Sequence, residues 1–340
     1  MRPFIVASNY LIETNIQPGK IGINRDTTAM INFFKKGNLE LAGQIIRKKY
    51  LDEFFHGFLK RKKQKDIDFV YLPQVLFHSG REKKIVRIHD LFPISHPSWF
   101  RKRATVYFKL AMRNTSRSYF LCNSFYTEKQ LNKIYPNTIG KSAVMYCNLE
   151  PFLESSFECG ECQVCNEAPD TPEQFALAIG TIEPRKNYHF LLSVWKKMNK
   201  QFPQKSLVIV GKYGWKSKQL LSDLTNSEGA NILWFQNICE YSLKKLYKNC
   251  ELFISTSHEE GFNYPAAEAR TLSVPSLLSN NEVNKELHSD YATFFKQNDY
   301  DSFIDGYIQI LKTKQNKSLA RWKPPEVLKI DELHEIIRKL

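Results

Sequence analysis

Short apolar runs alternate with longer amphipathic segments along this chain, and that alternation restricts its fold more than any other feature. Phe4–Ser8, Ile67–Leu72, Lys84–His89, Ser118–Ser124, Phe175–Thr181, Ser206–Gly211, Asn231–Phe235 and Leu252–Thr256 read as buried parallel strands. The amphipathic segments between them read as the crossover helices, so the expected architecture is α/β with doubly wound parallel sheets. Around Glu150 to Thr171 the pattern breaks, and Pro, Cys and acidic residues cluster there without periodicity. A chain of 340 residues also exceeds what one core usually organises. Two Rossmann-like domains facing across a cleft are therefore expected, over 1–160 and 161–322, with a last helix within 323–340 whose apolar positions are Leu328, Leu333, Ile336 and Ile337.

Ligands of such sheets bind beyond the carboxyl ends of the strands, and the chemically informative residues sit there. Glu183-Pro184-Arg185-Lys186-Asn187 follows Phe175–Thr181; a basic pair at a strand-to-helix turn can neutralise a diphosphate, with arginine forking onto two oxygens. Gly211 and Lys212 open the turn after Ser206–Gly211, where glycine permits close approach. After Leu252–Thr256 comes Glu260-Gly261-Phe262-Asn263-Tyr264-Pro265, and Glu268 lies one helical turn past the proline. Asn263 is placed to cap that helix and Pro265 sits where no backbone N–H is needed, which points a helix N-terminus at a phosphate. In the first half, His89 ends a strand and either bonds a sugar hydroxyl or is structural. Asn123-Ser124 ends another strand, and Gly22 lies in a glycine-containing turn leading into a helix.

The segments Gly180–Asn187, Val210–Lys212 and Glu260–Glu268 together resemble the retaining glycosyltransferases of family 4, which have the GT-B fold. His89-Asp90-Leu91, Asn123-Ser124-Phe125 and Asn280–Glu286 extend the resemblance over nearly the whole chain. The resemblance implies that Glu260 holds the transferred sugar, Glu268 the ribose, and Arg185 with Lys186 the diphosphate. It also implies that His89 touches the donor sugar from the other domain, and that the terminal helix crosses back to the first domain. By the same resemblance Gly261, Phe262, Asn263, Tyr264, Gly211, Lys212 and Gly22 line the nucleotide-sugar site. No metal and no cofactor beyond the donor are expected, because cationic side chains take the metal's role. Two glycines usual in the family are replaced, by Asn263 and by Ser273, and a basic residue often found after Gly180 is Thr181.

A net charge of +14 favours anionic partners. Basic residues concentrate in the first third, at Arg47–Lys49, Lys60–Lys63 and Arg101–Arg103, and Leu51, Phe54, Phe55, Phe58 and Leu59 recur at helical spacing between them. That segment is a core helix with a solvated basic face or a contact to an anionic membrane surface. No nucleic-acid motif is visible. With no run long enough to span a bilayer, a cytoplasmic protein, or one peripheral on the inner membrane face, is expected, acting on a lipid-linked or growing surface glycan. The alternative from another class is a non-catalytic basic GT-B-like module that scaffolds a membrane glycan-assembly complex. An odd number of cysteines, seven, indicates a reducing compartment. Cys159, Cys162 and Cys165 form either an incomplete metal site or part of a linker. Asp66 and Asp68 stand at the start of the strand Ile67–Leu72, at the end opposite the cleft, and read as solvated acids.

Overall fold

The alternation is realised as two α/β units in a computed structural model, which describes residues 9–14, 21–36, 40–46, 69–76, 83–113, 117–149, 152–153, 172–216, 218–225, 231–313 and 322–339. One unit is Met1–Pro151 with Pro324–Leu340, and the other is Phe152–Lys323. The first contains β1 (Asn9–Thr14), α1 (Ile21–Lys36), β2 (Glu40–Ile46), β3 (Phe69–Leu72), β4 (Lys83–Ile88), α2 (Phe92–Ser95), α3 (Lys102–Arg113), β5 (Ser118–Cys122), α4 (Phe125–Ile134) and β6 (Ser142–Val144). Its strands pair in parallel in the order β2-β1-β3-β4-β5-β6.

The second unit contains β7 (Phe175–Ile179), α5 (Tyr188–Asn199), β8 (Ser206–Val210), α6 (Lys218–Thr225), β9 (Ile232–Phe235) and α7 (Glu240–Asn249). It continues through β10 (Leu252–Ser255), α8 (Tyr264–Thr271), β11 (Ser276–Ser279), α9 (Glu282–His288), β12 (Thr293–Phe295) and α10 (Tyr300–Thr313). All its strand pairs are parallel, in the order β12-β11-β10-β7-β8-β9. Numbered within the unit this is 6-5-4-1-2-3, the dinucleotide-fold order, whose switch point lies between β7 and β10. The last helix, α11 (Ile330–Lys339), belongs to the first unit: Leu328, Leu333 and Ile337 share a core with Met30, Phe34, Phe69 and Tyr71.

Side-chain chemistry accounts for these elements. The residues of β8, Ser-Leu-Val-Ile-Val, are buried at every position, as a strand covered by helices on both faces must be. Helix α5 presents Phe190, Leu191, Val194 and Trp195 to the sheet, and Trp195 meets Tyr307 of α10 edge-on at 5.9 Å. Each such fully buried large side chain contributes about 1.5–3 kcal/mol. Among the described residues four helices begin on side-chain caps: Ser124 Oγ accepts from the Thr127 amide at 3.1 Å, Cys239 Sγ from Ser242 at 3.3 Å, Asn281 Oδ1 from Asn284 at 2.9 Å and Asp299 Oδ1 from Ser302 at 3.0 Å.

Some expectations fall on residues that the structure does not describe, and some strands were not expected. Strand β1 begins at Asn9, whereas Phe4–Ser8 lies outside the described residues, as do the segment of Leu51 to Leu59, Asp66, Asp68, Cys159, Cys162 and Cys165. Strands β2, β6, β11 and β12 carry no strong apolar run; the last pairs on one side alone and is three residues long. The residues around an expected boundary at 160/161 are likewise outside the description, but Phe152 already packs on Tyr247, 6.2 Å between rings, in the core of the second unit.

Trp322 is tied to the second unit just before the chain passes back to the first. Thr271 Oγ1 donates to its carbonyl at 3.1 Å, and the Arg270 guanidinium lies 4.4 Å from its ring while forking onto Asp290 at 2.8 and 2.6 Å. His288 is buried beside Trp322, and among the described residues neither ring nitrogen has a hydrogen-bond partner. Burial and the Arg270 charge push its pKa from 6.5 down to about 3. An unfolded chain therefore takes up a proton below pH ~6.5 that the folded one refuses, so stability is complete above that pH and falls as the pH drops toward ~3. Urea unfolding is expected to show a loss of about 2 kcal/mol between pH ~6.5 and ~5 that a His288→Leu variant lacks. Equal slopes in both proteins would remove His288 as the cause.

Candidate active site

The chain leaving β7 runs through Gly180 to Arg185 and Lys186, and the chain leaving β10 runs through Thr256 to Glu260, so both arrive at the switch point. The two loops are stitched together. Thr256 Oγ1 donates to the Lys186 carbonyl at 2.9 Å, and the His258 amide donates to the Arg185 carbonyl at 2.9 Å. Glu260, 4% exposed, then lies between the two cations: Lys186 Nζ donates to Oε1 at 2.5 Å, and Arg185 Nη1 donates to Oε2. Arg185 is also held by Glu183, whose Oε1 accepts from Nη2 at 2.8 Å and from Nε at 3.1 Å.

Burial alone would raise the Glu260 pKa, but Arg185 and Lys186 outweigh it and hold the carboxyl down at about 2. Glu260 is therefore a carboxylate at any physiological pH. The result is two positive and two negative groups, locked by charge-assisted bonds. An entering anion can be exchanged for Glu260 without leaving either cation unpaired.

The other expected residues fall into distinct settings. Glu268, 3% exposed, accepts at Oε2 from the Tyr247 hydroxyl at 2.8 Å, and the Pro265 carbonyl lies 3.0 Å from the same hydroxyl and shares its proton. Gly261 and Phe262 are buried, with Phe262 against Tyr264 at 5.3 Å. Gly211 packs backbone to backbone on Gly180, while Lys212 is exposed and its carbonyl accepts from Ile182 N at 2.9 Å.

Asn263 corrects one expectation. It occupies the N-cap position of α8 but makes no cap bond, because its backbone is left-handed at φ 59° and ψ 60°. Its amide nitrogen instead donates to Asn284 Oδ1 at 2.8 Å and Ser255 Oγ at 3.3 Å. Ser273 also has a positive φ, 58°. Both replaced glycines thus stand where the backbone enters the region that favours glycine, and asparagine is among the residues that tolerate it best.

Gly22 and His89 lie in the first unit. Gly22 is in the first turn of α1, so the helix is already under way where a turn was expected. His89 follows β4, and its Nε2 is 2.9 Å from the Pro73 carbonyl. Near it is a pair that spacing did not announce: Arg87, fully buried, forks onto Asp26, with Nε 2.8 Å from Oδ2 and Nη2 3.0 Å from Oδ1. Glu183 was legible as a neighbour of Arg185 but carried no assigned role. Among the described residues no group of three or more His, Cys, Asp or Glu side chains is arranged to hold a metal ion.

Comparison with known proteins bears on both units. Residues 166–324 match the family model for glycosyl transferases group 1. The chain is 31% identical over 121 residues to the serotype-specific mannosyltransferase WbdA of Escherichia coli, a match covering 35% of this chain and 15% of that protein. It is 24% identical over 278 residues to the O-antigen chain mannosyltransferase B of Escherichia coli, covering 80% of this chain and 68% of that one. Among solved structures, Anabaena Alr3699/HepE in complex with UDP and glucose aligns with a TM-score of 0.60 at 14% identity, covering 90% of each chain. The segment 166–324, which holds Arg185, Lys186, Glu260 and Glu268, is similar to the group 1 glycosyltransferases, and the chain that carries it has the GT-B fold.

Proposed function

We propose that the protein is a retaining, metal-independent glycosyltransferase that moves a hexose or deoxyhexose, mannose before others, from a nucleoside-diphosphate sugar to a lipid-linked or growing surface glycan. The observation that carries this reading is the Glu260 carboxylate clasped by Arg185 and Lys186 at the switch point of a dinucleotide-fold sheet. Mannose is favoured by the names of the relatives.

Cleavage of the bond between the sugar and the diphosphate builds negative charge on the distal phosphate. Arg185 and Lys186 answer that charge as it develops, which is when fixed cations help most. On exchange with the phosphate, Glu260 is released to hold a hydroxyl of the transferred sugar, and Glu268 takes the ribose. The acceptor oxygen bonds to the anomeric carbon on the face the diphosphate leaves, and its proton passes to the departing phosphate oxygen. No protein base, metal or further cofactor is needed in that scheme. His89 would take a sugar hydroxyl.

The test is turnover of a panel of nucleoside-diphosphate sugars, with the product anomer read by NMR, in chelator and with added manganese. Glu260→Ala and Lys186→Ala are each expected to cost about 10²–10³-fold. An unchanged rate in both variants would leave the non-catalytic scaffold as the better reading, and activity lost in chelator and restored by manganese would overturn metal independence.

The acceptor's membrane side rests on α3. Met112 is its buried residue, Val106 is 56% exposed, and Arg101, Lys102, Arg103, Lys109 and Arg113 accompany it with no acidic residue. A cationic helix with an exposed apolar side chain suits an anionic lipid surface at the cytoplasmic face. Among the described residues no helix is long and apolar enough to cross a membrane. Sedimentation with anionic but not neutral vesicles is expected, weakened by Lys102→Glu with Lys109→Glu; equal sedimentation with both vesicle types would count against it.

A further inference from the structure

Strand β12 is three residues long and lies at the edge of its sheet, yet the turn that follows it reaches both loops of the candidate active site. Lys296 to Asp299 closes on itself, the Asp299 amide donating to the Lys296 carbonyl at 3.1 Å, and its third residue, Asn298, has φ 58°. A positive φ at that position favours glycine or asparagine. The turn is anchored to the start of α10 by a reciprocal pair: Ser302 N donates to Asp299 Oδ1 at 3.0 Å, and Ser302 Oγ accepts from Lys296 N at 2.9 Å. It is a firm base that carries two adjacent amide side chains, Gln297 and Asn298.

Each of the two takes hold of a different loop. Gln297 Nε2 donates to the His258 carbonyl at 2.7 Å, two residues before Glu260. A carbonyl can only accept, which fixes the amide orientation; Gln297 Oε1 then lies 3.4 Å from His258 Nδ1. Asn298 Oδ1 accepts from Asn187 Nδ2 at 2.9 Å, and Asn187 directly follows Lys186. Asn187 is itself left-handed, with φ 54°, so the residue that turns the chain from the cations into α5 is held by its side chain. The loops therefore hold each other, through the bonds of Thr256 and His258, and both are held by a third element anchored elsewhere.

We propose that the turn Lys296–Asp299 is a brace for the site, and that Gln297 and Asn298 are positioning residues that keep Arg185, Lys186 and Glu260 in register for sugar transfer. The part in transfer rests on the glycosyltransferase reading above; the grip on the loops does not. Two cations attract a diphosphate wherever they stand nearby, but they stabilise the leaving phosphate only when aligned with it, and a misplacement of about 1 Å can cost about 10²-fold in rate. A loosened brace therefore acts on kcat more than on KM.

The test uses Gln297→Leu and Asn298→Gly, which remove one grip each and add no charge, the second also suiting the positive φ. Asn298→Asp, which keeps the accepting oxygen, is the conservative variant. Hydrogen exchange of the His258 amide, which bonds Arg185, reads the grip without substrate. It is expected to quicken about tenfold in the first two variants and to stay at the wild-type rate in the third, with the amides of β8 unchanged in all. In sugar transfer the first two are expected to lose about tenfold in kcat at nearly constant KM for the donor, and Asn298→Asp to keep most of the wild-type rate.

Unchanged His258 exchange in both loosened variants would overturn the brace. Exchange that quickens equally in β8 would overturn the positioning role, because the two side chains would then support only the fold. Faster His258 exchange with kcat unchanged upholds the grip and overturns its part in transfer. Faster His258 exchange in a protein whose wild type transfers no sugar removes the glycosyltransferase reading and leaves the brace standing.

Discussion

Glu260→Gln is expected to lower sugar transfer by about 10²–10³-fold while nucleoside diphosphate binds as tightly as before, or more tightly. The split follows from what Glu260 does in the structure. It is the shared anion of Arg185 and Lys186, so under the proposed function a diphosphate must displace it from both cations before they can serve the leaving group. Glutamine keeps the size and removes the charge, and with it the competitor. Under the same proposal turnover falls because the released side chain no longer offers a carboxylate to the transferred sugar.

Stability moves the other way. Breaking a buried pair costs about 3–5 kcal/mol when a partner is stranded, and the lower end applies because Arg185 retains Glu183. Added diphosphate supplies the missing charge, so its stabilising effect, which grows with affinity, is expected to be larger in the variant than in wild type by thermal shift. An equal shift in both proteins, with turnover intact, would mean that Glu260 neither competes with the diphosphate nor meets the sugar.

How much of this was legible in the sequence depends on whether a signal is local. Arg185 and Lys186 share a turn, and Glu260 and Glu268 share a loop and helix, so each pair announces itself by spacing. Their convergence follows from the strand-end rule once β7 and β10 are recognised. The strands that were read are those with apolar runs, such as β8; β11, with a serine at each end, is buried by its neighbours and carries no such run. Asp26 and Arg87 belong to the other kind. A buried arginine on a strand looks like an exposed one until its partner, from a distant helix, is in place. Asn263 was placed correctly along the chain but given the wrong conformation, because capping preference does not report that the backbone has turned left-handed.

Gly211→Ala is expected to be among the most damaging single changes in the second unit, costing about 3 kcal/mol or more. A Cβ there would lie 1.9 Å from the Gly180 carbonyl oxygen and 2.7 Å from its carbon. Both are backbone atoms, so no rotamer relieves the clash. The strands cannot part easily either, because Gly180 N bonds Val210 O at 2.9 Å, Ile182 N bonds Lys212 O at 2.9 Å and Gly211 N bonds Phe235 O at 3.0 Å.

The damage should reach the site, since Gly180 lies over Lys186, whose Cε is 3.0 Å from where a Cβ on Gly180 would stand. A displaced Gly180 moves the roof of the Lys186–Glu260 pair. Gly140→Ala is the control: that residue has a positive φ of 74° but open space around it, so its cost is the left-handed backbone alone, about 1–2 kcal/mol. Urea midpoints measured on both variants separate close approach from backbone strain. If the two midpoints shift equally, the contact between Gly211 and Gly180 is not what joins β7 to β8 beneath the site.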